Sequence, residues 1–140
     1  MISDLTSVVE RDLLPTLAPL GFRIVSSEVW DSFDNANVVL ESALLRIRVV
    51  RERSSLLADF GPVSEPNTWF DSTVVADYLG ISHDAGFHGR DAHLVLRGLG
   101  AFVRSFHTEL ATAFDPACLR DTKRELEALK GRRAAEQFGG

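Results

Sequence analysis

Leu44-Leu45-Arg46-Ile47-Arg48-Val49-Val50-Arg51-Glu52-Arg53-Ser54-Ser55-Leu56-Leu57-Ala58-Asp59-Phe60 is the stretch that decides the fold. Leu45, Ile47 and Val49 alternate with Leu44, Arg46 and Arg48. A period of two is the signature of a strand buried on one face. Leu56, Ala58 and Phe60 repeat the pattern after a link too short for anything but an antiparallel hairpin. A two-residue turn at Glu52-Arg53 sets Val49 opposite Leu56 and Ile47 opposite Ala58. The same register sets Arg46 opposite Asp59 on the other face, an ion pair contributing a few tenths of a kcal/mol.

Working outward, residues 36–41 and 22–30 read as two further strands around a polar, turn-rich link at 31–35. The result is a four-stranded antiparallel meander. Before it, Leu5, Val8, Val9, Leu13 and Leu14 lie on one helical face over residues 3–17, with Ser3 or Asp4 as cap. Pro15 ends or kinks that helix, and Gly21 stops it. After the sheet, residues 61–66 form a loop. A short helix follows over 72–79, between Asp71 as N-cap and Gly80 at C′. Val95, Leu99, Phe102, Val103, Phe106, Leu110 and Phe114 mark the longest helix, 92–114, which is expected to cover the sheet. Asp115 and Pro116 then open a final helix to residue 137, seamed by Leu119, Thr122, Leu126 and Leu129. Strands segregated from helices define α+β: an N-terminal helix, a four-stranded antiparallel meander, then three helices, the long one on one sheet face. Residues 1–140 make a single domain of ordinary size.

Composition narrows the function classes. At 45% hydrophobic and 25% charged residues the chain is neither disordered nor collagen-like. It holds no apolar run of membrane-spanning length, about 18 residues, so no membrane partner is expected. Lys and Arg total 15 against 20 acids, a net charge of −5, which lacks the basic footprint of a nucleic-acid binder. The single cysteine, Cys118, forms no intrachain disulfide, and the first residues carry acids where a secretion signal needs bases. A cytoplasmic setting is expected.

Chemistry-bearing residues concentrate in three places. His83, His88 and His93 fall within eleven residues on a glycine-bearing loop with Asp84 and Asp91. Imidazoles and carboxylates suit zinc or a similar divalent metal, although this spacing is not that of a helical His pair. The plainer reading is a solvated loop in which Asp91 caps the long helix, with no cofactor. Trp30, Asp31, Phe33 and Asp34 combine aromatics with acids at a strand end, and Trp69 and Asp71 repeat the combination. Aromatic anchors among acids suit a protein interface with a basic partner; core burial of the same rings is the alternative. Arg46 and Arg48 share one strand face with Leu44 and Val50 rather than with stacking aromatics, so a solvated sheet face is expected there. His107 and Cys118 read as packing residues, and no nucleophile elbow, P-loop or dinucleotide fingerprint is present.

Two classes of function fit. One is a small, acidic, non-enzymatic protein-binding module, an immunity- or inhibitor-type protein or an accessory subunit that occludes a partner such as a basic toxin or enzyme. The other is a small metal-dependent hydrolase built on His83, His88 and His93. The 3-4 apolar spacing of the final helix also allows a homodimer seam.

Overall fold

The computed structural model describes residues 5–29, 35–81 and 88–138. The described residues form a mixed α+β fold with a five-stranded antiparallel sheet and five α-helices, the longest of them packed on the sheet. The N-terminal helical region is broken into α1 (Leu5–Asp12) and α2 (Leu14–Leu17), followed by a single 3-10 turn, Ala18–Leu20. Pro15 explains the break. It has no N–H, and its ring would strike the carbonyl four residues back, so it is seated in the first turn of a new helix. The predicted caps Ser3 and Asp4 lie outside the described residues.

The strands follow in spatial order β1 (Arg23–Val29), β2 (Ala36–Glu41), β3 (Leu45–Glu52), β4 (Ser55–Pro62) and β5 (Phe70–Asp71). The expectation of four strands is corrected to five. β5 is two residues long, too short to show any periodicity, and exists because Phe70 pairs with Phe60 and Asp71 with Asp59. The β3–β4 register also differs from expectation. The turn falls at Arg53-Ser54, so Val49 meets Ala58, Ile47 meets Phe60, and the ion pair is Arg48–Asp59 rather than Arg46–Asp59. Moving the turn by one residue shifts the pairing by two, which leaves the inward face unchanged; hydrophobic pattern therefore cannot choose between the registers. The chosen turn has φ of 49° and 69° at Arg53 and Ser54, the left-handed pair that matches hairpin twist. The Asn35 side chain accepts from the Arg53 N–H at 2.9 Å and holds it.

Ala36, Val38, Leu40, Leu45, Ile47, Val49, Ala58 and Phe60 face one continuous core. α3 (Ser72–Tyr78), α4 (Ala92–Ala113) and α5 (Leu119–Phe138) complete it from the same side. Each fully buried Leu, Ile or Phe there contributes about 1.5–3 kcal/mol. α3 starts at Asp71, whose carboxylate accepts from Thr73 N–H at 2.7 Å. It ends in a Schellman motif at Gly80 (φ 76°), with Ile81 N–H on Ala76 carbonyl and Gly80 N–H on Asp77 carbonyl. α4 starts at Asp91, which accepts from Leu94 N–H at 3.1 Å. Val95, Leu99, Phe102, Val103 and Leu110 of its expected face are buried, and the helix is interrupted at Phe106 (φ −118°, ψ 20°). Buried Gly100 lets α4 approach Leu13 and Thr16 closely.

The last helix begins four residues later than Asp115. The Asp115 carboxylate accepts from Ala117 N–H, and its carbonyl accepts from Cys118 N–H, which closes a turn instead of a helix. Leu119, Thr122 and Leu126 are buried where α5 packs on α3, so this seam is occupied within the chain. No helix among the described residues is long and apolar enough to cross a membrane.

Candidate interaction face

The sheet has a second face, and its side chains follow from the pleat. Glu41, Arg46 and Gly61 form one row across β2, β3 and β4; Val39, Arg48, Asp59 and Asp71 form the next; Asn37, Val50 and Leu57 form a third. Val39 and Val50 are buried yet stand outside the core cluster that all the helices share. Among the described residues this face is packed by its own side chains and by the loop between β4 and β5, and no helix covers it.

That loop delivers Trp69. Arg48 lies 4.6 Å and Arg46 5.4 Å from the centre of its ring, close enough for cation–π attraction. The indole lies over Gly61, where an added Cβ would overlap the Thr68 carbonyl oxygen and sit 3.2 Å from Trp69 Cε3. Gly61 is thus required by close approach rather than by a turn. The loop is fastened at both ends. Arg46 Nη1 donates to the Pro66 carbonyl at 2.9 Å. Lys123 Nζ of α5 donates to Glu65 Oε1 at 2.8 Å, and Thr68 Oγ1 donates to the same oxygen at 3.1 Å. The Lys123 hydrogen bond, with that of Thr68, holds the Glu65 carboxyl below its ordinary range.

The guanidiniums of this face are paired. Arg48 donates from Nε and Nη2 to Asp59 Oδ2 at 3.0 and 2.8 Å. Glu41 lies between Arg46, at 3.3 Å, and Arg23, at 4.0 Å. Burial raises the Asp59 carboxyl above its usual range, a larger effect than the opposing pull of Arg48. The expectation of a solvated basic face gives way to a half-buried charge ladder roofed by one aromatic ring. No local signal could have found this arrangement, because Trp69 stands more than twenty residues from Arg46 and Arg48 and reaches them only through the β4–β5 loop.

The other expected site residues are placed as follows. Trp69 is half-buried and Asp71 is exposed, two residues apart on the loop and on β5. Trp30, Asp31, Phe33 and Asp34 lie outside the described residues, as does His83. His88 and His93 are exposed. His93 Nδ1 lies 3.1 Å from Oδ1 of Asp12, which also accepts from Arg11. The hydrogen bond from Arg11 is the main influence holding Asp12 below its ordinary range. Among the described residues no group of three or more His, Cys, Asp or Glu side chains could hold a metal ion. His107 turns its ring edge-on to Phe22, centroids 6.0 Å apart. It shares an open groove of about 410 Å³ with Leu44, Thr112, Asp115 and half-buried Cys118. A scan against protein-family models finds no match, and searches of curated proteins and of solved structures find none.

Proposed function

We propose that this chain is a small protein-binding module that works without catalysis, an immunity- or inhibitor-type protein or an accessory subunit that covers a surface of a basic partner. The observation that carries the reading is the sheet's second face, which no described helix covers and which exposes apolar Leu57 near the acid Asp71. Leu57 is 38% exposed there on β4, and Asp71 is exposed on the neighbouring β5. A helix-free face of this kind, on a chain of net charge −5, suits a complementary protein surface and steers a basic one toward it. Trp69 contributes from the rim. Trp30, Asp31, Phe33 and Asp34, which follow β1 in the sequence, supply further aromatic anchors with acids between them.

The test is a tagged pull-down from the native host, scored for a partner near one-to-one stoichiometry, with Leu57→Arg and Trp30→Ala beside the wild type. Leu57→Arg is a surface change and should move stability by about 0.5 kcal/mol or less; circular dichroism and Tm of both variants separate a lost contact from unfolding. A single basic partner held by the wild type and lost by both variants supports the reading. Absence of a stoichiometric partner, or equal retention by both variants, overturns it. So does stoichiometric zinc in protein purified without chelators or a His tag that His88→Ala removes, which would favour the hydrolase built on His83, His88 and His93.

A further inference from the structure

The two edges of the sheet are treated differently. The β4 side is closed twice: β5 pairs with Asp59 and Phe60, and Gly89 exchanges both backbone hydrogen bonds with Leu56, at 2.7 and 3.0 Å. At the other side β1 is the terminal strand, and no described residue pairs with its outer edge. Six of its seven residues are exposed, Val29 at 65%. An open edge of this length is a template for another strand.

Charge and a bulge usually protect such an edge, and β1 has both. The bulge inserts Val25 between Ile24, opposite Leu40, and Ser26, opposite Val39. In a regular strand residues five apart point to opposite faces. The extra residue puts Arg23, opposite Glu41, and Glu28, opposite Asn37, on the same face, the one without helices. When β1 is laid antiparallel beside a second β1 about a two-fold axis normal to the sheet, Arg23 of each copy stands opposite Glu28 of the other. Ile24 then meets Ser27, and the small Ser26 lies next to the axis. Simple protection would be served equally well by like charges; this pattern is complementary to itself, and like-with-like pairing is the hallmark of a two-fold interface.

We infer that the outer edge of β1 is a homodimer interface, in which two copies pair their β1 strands antiparallel with reciprocal Arg23–Glu28 contacts and join their sheets into one. The axis keeps both helix-free faces on the same side, doubling the width of the continuous face. This inference stands independently of the binding reading above, since it concerns the sheet edge and needs no foreign partner.

Sedimentation equilibrium of the full chain tests it, with Arg23→Glu, Glu28→Arg and the double exchange. The wild type should reach twice the 15.4 kDa chain mass as concentration rises. Each single variant places like charges opposite each other at two symmetric positions and should raise the dimer Kd about tenfold or more. The double exchange should restore it. The two single variants mixed should associate with each other while neither associates alone, a result that a folding defect cannot produce. A wild type that stays monomeric to about millimolar concentration overturns the inference. So does a dimer indifferent to both single exchanges, or a mixture that fails to associate.

Discussion

Arg46, Arg48, Trp69 and Gly61 show how much one aromatic side chain organises on a face without helices. The ring gains from two guanidiniums and needs a residue with no side chain beneath it. Gly61→Ala forces a methyl against the Thr68 carbonyl, a backbone atom that cannot swing aside as a side chain can. We expect a loss of about 1–3 kcal/mol, read by urea denaturation, together with a change in tryptophan fluorescence as the ring leaves its seat. An alanine variant with wild-type stability and emission would show that the loop shifts freely and that Trp69 is not fixed by this contact.

At the level of elements, the Arg48–Asp59 pair links β3 to β4 on the face opposite the core. Burial already keeps the folded Asp59 carboxyl above its unfolded value, despite Arg48. The folded state therefore holds this proton to higher pH than the unfolded chain, and the group's contribution to stability falls as pH rises through the carboxylate range. Arg48→Met removes the opposing cation and pushes the carboxyl further up. The variant should lie close to the wild type in acid, where Asp59 is neutral, and fall about 1–2 kcal/mol below it at neutral pH. Thermal melts across the acid-to-neutral range check this; a deficit independent of pH would assign the loss to packing against Trp69 instead.

Across the whole molecule, the β4–β5 loop ties the sheet's second face to α5 on the far side of the fold through Glu65 and Lys123. Glu65 is held below its ordinary value of 4.5. Its stabilisation is thus complete above that value and is lost as pH falls through the lowered one. Glu65→Gln should therefore melt below the wild type at neutral pH, by a small margin for so exposed a pair, and coincide with it once Glu65 is protonated. A margin that persists in strong acid would mean that the charge of Glu65 is not what holds the loop.

Period two in residues 44–60, the helical face of α4 and the caps Asp71, Gly80 and Asp91 were sufficient to determine an α+β chain whose antiparallel sheet is covered by a long helix. These are local signals, because side-chain period and capping chemistry depend on neighbours within one or two turns. The hairpin register escaped them, since both registers bury the same residues, and Asn35 from the preceding link chose between them. β5 escaped them because two residues carry no period, and Phe70 is a strand residue only because Phe60 is there to pair with it. The seat of Trp69 was likewise hidden: its ring and the two arginines are brought together by strand pairing and loop closure, long-range events that composition and spacing do not encode. Which edge no described residue pairs with, and that a bulge at Val25 turns Arg23 and Glu28 to one side, are likewise settled by long-range strand pairing.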